Sequence, residues 1–154
     1  MNYFESINPT NGKIIKEYLA FNEDELHKIL LNAYQRFDSW KRESVYERSK
    51  YFLEIAEIIE LKKNKLSELL ATEMGKPIMQ GKAEIEKCAL LCKYYASNAT
   101  LFLKDDIIKT EASKSYATFQ PLGIILGIMP WNFPFWQVFR FVVPTMIAGN
   151  TILL

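Results

Sequence analysis

Residues 124–134 read IILGIMPWNFP and carry the strongest structural signal in the chain. The apolar run at residues 124–129 is typical of a strand that is covered on both faces of a parallel sheet. Residues 133–148 have the length and apolar content of a helix that a Gly-Asn pair ends, and residues 151–154 have the pattern of a second buried strand. Strand, helix and strand predict a right-handed βαβ unit with parallel strands, which is the start of a doubly wound sheet in an α/β fold.

Mainly helical structure is predicted before this unit. The Asn-Gly pair at residues 11–12 lies between short apolar runs and is a signal for a small hairpin with a two-residue turn. Four helices follow, and residues 107–108 and 116–119 are predicted as two short strands separated by a polar turn. Capping pairs and a helix stop mark the helix boundaries: Asn22 with Glu25, Ser44 with Glu47, and Gly75 before Pro77. The fourth helix is predicted from about Pro77 to Leu103.

The composition excludes several classes of partner. Hydrophobic residues make up 49% of the chain and charged residues 24%, as in an ordinary globular domain. Lys and Arg number 19 against 18 Asp and Glu, so the net charge of +1 predicts neither a nucleic-acid partner nor an anionic membrane. Two cysteines do not form a disulfide framework, and no apolar signal segment stands at the start, so we expect a cytoplasmic protein.

The charge is distributed unevenly along the chain. Residues 122–154 contain Arg140 as their single charged side chain. So apolar a segment suggests a membrane span, but three prolines interrupt it, which favours a segment buried in an α/β core. The last four residues have the character of a strand interior without a polar tail, so we expect them to belong to a larger protein.

Asn132 lies at the predicted carboxyl end of the first strand of the βαβ unit, where open parallel sheets bind ligands. Its side-chain amide would stand at a helix N-terminus, where backbone N–H groups and the helix dipole favour negative charge. One interpretation is that the amide stabilises an oxyanion in a transition state, an effect often worth about 3 kcal/mol. The other is that Asn132 is only the N-cap of the helix, a position that Asn favours. The local sequence leaves both open.

A wider set of residues is similar to the aldehyde dehydrogenase superfamily, in the same order along the whole chain. They are Asn8-Pro9-Thr10 with Gly12, Trp40, Arg48, Glu73-Met74-Gly75-Lys76-Pro77, Pro121-Leu122-Gly123-Ile124-Ile125, Pro130-Trp131-Asn132-Phe133-Pro134, Pro144 and Ala148-Gly149-Asn150-Thr151. The proline-flanked Trp-Asn motif is the most specific of these. The resemblance implies that residues 1–154 are an incomplete N-terminal part of a Rossmann-like nucleotide-binding domain, with an oligomerisation hairpin at residues 107–121 and a homo-oligomeric enzyme.

The resemblance also implies an activity, the oxidation of an aldehyde to its carboxylic acid with NAD or NADP. Asn132 would donate its side-chain amide to the thiohemiacetal oxyanion. Met129, Pro130 and Trp131 would line the nicotinamide cofactor site together with Asn132. The family's catalytic Cys, general-base Glu and glycine-rich cofactor loop normally lie beyond the point that this chain reaches, so we expect the isolated chain to be inactive.

Arg140 is the candidate residue for binding a carboxylate of the substrate. Asn132, Trp136 and Arg140 are spaced four apart and Gln137 lies three before Arg140, so a helix would place them on one face, and Phe133 at its start. A guanidinium on such a face could bind a carboxylate with two hydrogen bonds, and an Arg at this position resembles the succinate-semialdehyde dehydrogenase branch. The alternative is a structural salt bridge to a segment missing from this chain or to a partner, and both interpretations stay open.

The cysteines, the open strand edge and the apolar C-terminal segment each suggest another kind of site or protein. Cys88 and Cys92 are four apart on an apolar helix face, and His27 is the only histidine, so we expect core thiols and no metal site. A non-catalytic interaction module, or a degenerate or split gene product, is the main alternative to the enzyme, because an open strand edge invites pairing with another chain. Membrane attachment through residues 122–154 is a weaker alternative.

Overall fold

The computed structural model describes residues 3–154, which form five helices and three two-stranded sheets. In chain order the elements are β1 (Tyr3–Ile7), β2 (Ile14–Leu19), α1 (Glu23–Trp40), α2 (Val45–Leu61), α3 (Lys63–Met74), α4 (Ile78–Phe102), β3 (Asp106–Ile107), β4 (Tyr116–Ala117), β5 (Ile124–Leu126), α5 (Pro134–Ile147) and β6 (Thr151–Leu153). The prediction of a mixed α/β chain with four helices ahead of a strand, helix and strand is confirmed.

The first hairpin is formed by β1 and β2, which pair antiparallel. Its turn is longer than the predicted two residues, because Asn8 organises the loop: its backbone N–H donates to Lys13 O at 2.9 Å, and its side-chain oxygen accepts from the Thr10 N–H at 2.9 Å. The hairpin is therefore confirmed, and the tight Asn-Gly turn is wrong. A side chain that bonds the following backbone offers this loop an alternative to the two-residue turn.

The helix boundaries follow the capping chemistry in the sequence. Asn22 and Glu25 form a reciprocal capping box with two hydrogen bonds of 2.9 Å, and Ser44 accepts from the Glu47 N–H at 3.1 Å. Helix α3 ends at Gly75, whose φ of +72° lies in the left-handed region that glycine adopts without strain. The predicted starts and stops of the helices are confirmed.

The hydrophobic core lies among α2, α3, α4 and α5, with α4 packed against each of the other three. It buries Phe52, Ala56, Ile59, Leu70, Ile85, Cys88, Ala89, Cys92, Ala99, Val143 and Ile147. Both cysteines have zero exposure and are free, so the expectation of core thiols is confirmed. Within residues 3–154, no helix has both the length and the apolarity that crossing a bilayer requires.

Strands β5 and β6 pair in parallel, with Ile124 opposite Thr151, and α5 connects them. Gly127 follows β5 where α5 crosses close by: a Cβ there would lie 2.5 Å from Cε1 of Phe141. The predicted strand at residues 124–129 is too long, and its burial on both faces is wrong, since Leu126 is 66% and Ile128 88% exposed. In the part of the chain that the structure describes, β5 has only β6 beside it, so no neighbour covers its other edge. The doubly wound sheet stays a prediction.

Strands β3 and β4 form a short antiparallel hairpin of two residues each, and their residues are exposed. The predicted second strand at residues 116–119 is thus shorter, ending at Ala117. Ser115 and Thr110 close the loop between the strands through their hydroxyl groups, 2.6 Å apart.

Candidate functional site

The turn between β5 and α5 carries the residues that the sequence singled out. Pro134 is the first residue of α5, one residue after the predicted start, and Phe133 is the N-cap, with φ −138° and ψ 75°. The N-cap interpretation of Asn132 is therefore wrong, because Asn132 lies one residue earlier. The reason is that proline at the first helical position forces the residue before it out of the helical region, which places the cap at Phe133.

A carboxylate of the protein itself, that of Glu84, occupies the N-terminus of α5. Oε1 of Glu84, on α4, accepts hydrogen bonds from the backbone N–H groups of Phe135 at 3.0 Å and Trp136 at 2.9 Å. Glu84 is buried, with 5% exposure. The helix dipole and free N–H groups favour negative charge here, as the sequence suggested, but the site is filled by Glu84 and is not open to a substrate anion.

Lys76 completes this arrangement. Its ammonium forms a salt bridge with Oε2 of Glu84, donates to the backbone carbonyl oxygen of Asn132 at 3.4 Å, and lies 3.8 Å from the centroid of the Phe133 ring. Lys76 is also buried. A buried ion pair offsets its desolvation only when its remaining hydrogen-bonding groups are satisfied, and here the partners are the turn and the helix start themselves. The pair Lys76 and Glu84 therefore holds the backbone that presents Asn132.

Asn132 opens on a cleft between α4 and the start of α5, with a volume of about 550 Å³. The α4 side presents four residues at the spacing of one helix face, and the α5 side contributes the residues around the turn. The lining residues are Gln80, Ala83, Glu84, Lys87, Asn132, Phe133, Trp136 and Gln137. Asn132 is exposed, and within residues 3–154 no hydrogen bond engages its side-chain amide. The amide is thus a free donor at the wall of a cleft.

The three residues before Asn132 lie elsewhere on the turn. Met129 is half-buried, Pro130 is exposed, and Trp131 is 78% exposed. Trp131 lines a second cavity of about 670 Å³, bounded by Pro9, α3 and the first residues of α5. The structure thus places Trp131 and Asn132 on neighbouring but different cavities of the same turn.

Arg140 reaches solvent from α5 and is not among the residues that line the Asn132 cleft. It has no ion pair within residues 3–154, so both interpretations of Arg140 stay predictions. Phe133, Trp136 and Gln137 do line the cleft. The cation of the cleft is Lys87, whose ammonium lies 3.8 Å from the centroid of the Trp136 ring.

The C-terminus of α5 is held by Trp40 and Arg48, two residues that belong to weaker motifs of the family resemblance. Trp40 donates from Nε1 to the carbonyl oxygen of Met146 at 2.8 Å, and Arg48 donates from Nε to that of Ile147 at 2.8 Å. Arg48 also donates to the carbonyl oxygen of Glu43 and is buried, and this burial lowers the pKa of its guanidinium. Donors at the C-terminus satisfy carbonyl groups that the helix cannot.

Cys88 and Cys92 do not take part in the cleft. Burial raises the pKa of both thiols to about 12, and the charge of Glu84 adds to the effect at Cys88. A thiol that is buried and neutral is a poor nucleophile.

Three charged residues at the site were not predicted as site residues from the sequence: Lys76, Glu84 and Lys87. Glu84 carried a usable signal, because it stands between Gly81 and Ile85 on the face of α4 that continues through Cys88 and Cys92. A charged side chain on a buried face needs a partner, and that requirement predicts a buried pair without naming Lys76. Nothing in the local pattern distinguishes Lys87 from a solvated surface lysine.

Comparisons with known proteins agree on one family. The profile described as "Aldehyde dehydrogenase family" matches residues 1–154. A protein of Synechocystis sp. named "Probable succinate-semialdehyde dehydrogenase [NADP(+)]" is 42% identical over 149 residues, which is 97% of this chain and 33% of that protein. "Succinate-semialdehyde dehydrogenase [NADP(+)] 1" of Mycobacterium bovis is 39% identical over 152 residues, covering 97% of this chain and 33% of the relative.

A solved structure gives the same result for the fold. The crystal structure of succinic semialdehyde dehydrogenase from Streptococcus pyogenes, in complex with NADP+, superposes with a TM-score of 0.91 at 28% identity. The match covers 97% of this chain and 33% of that one. The chain therefore spans about a third of the length of the relatives it matches.

Proposed function

Because the chain belongs to the aldehyde dehydrogenase family, we propose that it forms the oxyanion-binding and cofactor-facing part of an enzyme that oxidises an aldehyde to its acid with NADP or NAD. The chain spans about a third of its relatives, so the activity is proposed for a polypeptide of their length. The 154 residues alone are expected to give no turnover.

The observation that carries this proposal is the free amide of Asn132 at the wall of the cleft. When a nucleophile adds to an aldehyde, the carbonyl oxygen becomes an oxyanion, and a preorganised N–H donor stabilises that charge more than it stabilises the starting carbonyl. Lys76 and Glu84 hold the backbone at Asn132 and at the start of α5, so the donor needs little reorganisation during the reaction. We assign Asn132 this catalytic role.

The residues beside Asn132 fit a nicotinamide cofactor. Met129, Pro130 and Trp131 follow β5 at its carboxyl end, which is the edge where parallel sheets bind nucleotides, and the exposed indole of Trp131 is an apolar surface for a flat ring. When bound, the cofactor accepts the hydride that leaves the aldehyde carbon. These three residues would hold and shield it. The named relatives use NADP, which makes NADP the first cofactor to test.

Succinate semialdehyde is the proposed substrate, since the relatives are named for it. Phe133, Trp136 and Gln137 line the cleft and would contact the chain of the aldehyde, while Arg140, exposed one turn beyond Trp136, would meet its carboxylate at the mouth of the site. We further propose that residues 107–121, with β3 and β4, serve as the oligomerisation hairpin. The two free thiols accord with a reducing, cytoplasmic location.

The test uses this chain alone and this chain joined to the remaining two thirds of the Synechocystis relative. We expect reduction of NADP by the joined protein with succinate semialdehyde and none by the 154 residues alone. Asn132→Ala should lower kcat about a hundredfold or more with little change in KM, because the amide acts on the transition state. Asn64→Ala, at an exposed position on α3, is the matched control and should keep full activity. Equal kcat values for Asn132→Ala and the unchanged protein would overturn the assignment, and turnover by the 154 residues alone would refute their proposed inactivity.

A non-catalytic interaction module is the second candidate, and exposed apolar side chains along β5 favour it. Leu122 and Ile128 are each 88% exposed, at either end of the strand. Such a surface favours association with another chain. Light scattering after size-exclusion chromatography checks this: a monomer at all concentrations would count against the module.

A further inference from the structure

We propose that Lys87 is the anchor for the distant carboxylate of an acidic aldehyde, in the same cleft in which Asn132 meets the aldehyde oxygen. This inference rests on the proposed function and names a specificity-determining residue for it. The sequence motif around Asn132 and the Arg140 hypothesis both concern α5 and the turn before it. The lining of the cleft adds residues of α4, and Lys87 is one of them.

The position of Lys87 follows from the face that α4 turns to the cleft. Gln80, Ala83, Glu84 and Lys87 are spaced by three or four residues, so they lie along one face of the helix. Asn132 and Trp136 stand on the opposite wall. A small molecule in the cleft is therefore bounded by the amide of Asn132 and the ammonium of Lys87 together.

The charges of the cleft leave Lys87 without a carboxylate partner. Glu84 is the acidic residue of the lining, and both its oxygens are engaged, one by Lys76 and the other by the N–H groups of Phe135 and Trp136. Lys87 forms no salt bridge among residues 3–154. With the charge of Glu84 balanced by Lys76, the cleft retains one positive charge.

The Trp136 ring contacts the Lys87 ammonium and orients it in the cleft. The Lys87 ammonium lies 3.8 Å from the centroid of the indole ring, an arrangement in which the ring face attracts the cation. This contact restricts a flexible side chain while leaving ammonium N–H groups free for a carboxylate. The cleft thus combines a neutral donor for the reacting oxygen, an aromatic wall for the carbon chain, and a cation for an acid group.

The roles of Lys87 and Arg140 differ in this arrangement. Both side chains are exposed, but Lys87 lines the cleft and Arg140 lies outside its lining. A carboxylate bound in the cleft would contact the lining residues directly, and salt screens a direct ion pair less than a more distant one. Lys87 is therefore expected to contribute more to the choice of substrate than Arg140.

The experiment compares succinate semialdehyde with butanal, an aldehyde of the same chain length without the carboxylate, in the joined protein described above. Lys87→Met should lower the ratio of kcat/KM for succinate semialdehyde to that for butanal by about ten- to a hundredfold, the range expected for a hydrogen bond to a charged group. The loss should lie in KM for the acidic aldehyde, with kcat and the butanal kinetics little changed. Lys87→Arg should restore most of the ratio, and Lys87→Glu should lower it further.

Lys82→Met is the matched control, because Lys82 lies on the same helix but not in the cleft, and its ratio should stay unchanged. A Lys87→Met protein that keeps the full preference for succinate semialdehyde would overturn the inference while leaving the proposed function intact. A rise in KM for NADP alone would also overturn it, since the bound anion would then be a phosphate of the cofactor. Absence of any aldehyde oxidation by the unchanged joined protein would instead contradict the proposed function.

An independent test measures anion binding to the 154-residue chain itself by NMR. Succinate, added to the isotopically labelled chain, should shift the indole N–H resonance of Trp136, and the shift should weaken with added salt. Lys87→Met should abolish it and Lys82→Met should not. A shift that persists unchanged in Lys87→Met would count against an anion site at this lysine.

Discussion

The two ends of α5 are held by opposite kinds of group. At its N-terminus the carboxylate of Glu84 accepts from two backbone N–H groups, and at its C-terminus Trp40 and Arg48 donate to two backbone carbonyl oxygens. Both choices match the helix dipole, which favours negative charge at the start and positive charge at the end. They also satisfy backbone groups that lie outside the helical hydrogen-bond ladder.

The ends differ in what surrounds them. Glu84 at the N-terminus pairs with Lys76, which contacts the Asn132 backbone, and this end opens on the cleft. Arg48 at the C-terminus is buried, donates to Ile147 and does not line the cleft. The same helix is therefore anchored for stability at one end and for presenting an amide at the other. Substitutions at the first end should change both stability and activity, and substitutions at the second should change stability alone.

The largest effect is expected from Glu84→Gln. The substitution leaves the Lys76 ammonium buried without its counter-charge, and removing one partner of a buried pair typically costs ~3–5 kcal/mol. Urea unfolding of the 154-residue chain measures the loss, and kcat of the joined protein should fall with it because the Asn132 turn loses its support. Glu86→Gln, in an exposed pair with Lys63, is the control and should cost at most about 1 kcal/mol. Equal losses of unfolding free energy in Glu84→Gln and Glu86→Gln would contradict the role of Glu84 as the anchor of the α5 N-terminus.

Arg48→Met should have the next largest effect. It withdraws a charged donor from two carbonyl oxygens, a loss of about 2–3 kcal/mol in the free energy of unfolding. The activity of the folded joined protein should stay near normal, because the Asn132 turn is at the other end of the helix. Arg42→Met, which breaks only an exposed pair with Asp38, serves as the comparison. A large fall in kcat without unfolding would show that the C-terminal anchor also positions the site.

Trp40→Phe is expected to cost less. The ring volume is largely kept, and the carbonyl oxygen of Met146 loses the indole donor but keeps the Gly149 N–H, so the expected cost is about 1 kcal/mol. Thermal unfolding of the chain measures the change. The matched variant is Trp131→Phe, where the indole is 78% exposed, and its stability should stay within about 0.5 kcal/mol. A Trp40→Phe chain as stable as the original would mean that this bond contributes little to the anchor.

The smallest effect near neutral pH concerns the thiols beside the N-terminal anchor. Burial raises the pKa of Cys88 and Cys92 from 9.0 to about 12, so the folded chain holds these protons more tightly than the unfolded chain. The stability from this difference is complete below the unfolded pKa and is lost as the pH rises toward 12. The urea midpoint should therefore fall more steeply between about pH 9 and pH 11 in the original chain than in the Cys88→Ala, Cys92→Ala variant. Parallel curves would show that the thiols do not titrate in this way.

Much of the local structure was accessible from the sequence. The capping pair of Asn22 and Glu25, the stop at Gly75 and the start of α5 depend on neighbouring residues. The first two were predicted correctly and the third to within one residue. The motif around Asn132 also led to the family. The length of β5 and its burial were not predictable, because they depend on which strands lie beside it rather than on its own apolar run.

By itself, then, the sequence determined the order of helices and strands, the turn that carries Asn132 and the membership of the aldehyde dehydrogenase family. Only the tertiary structure decided that Glu84 fills the N-terminus of α5, that Lys76 ties it to the turn, and that Lys87 rather than Arg140 enters the cleft. Capping and turn preferences act over a few residues and are written in local patterns. The hydrogen bonds from the Phe135 and Trp136 N–H groups to Glu84 span 51 and 52 positions, and the one from Lys76 to the Asn132 carbonyl spans 56. Contacts over such distances depend on how the helices pack, which no local pattern records.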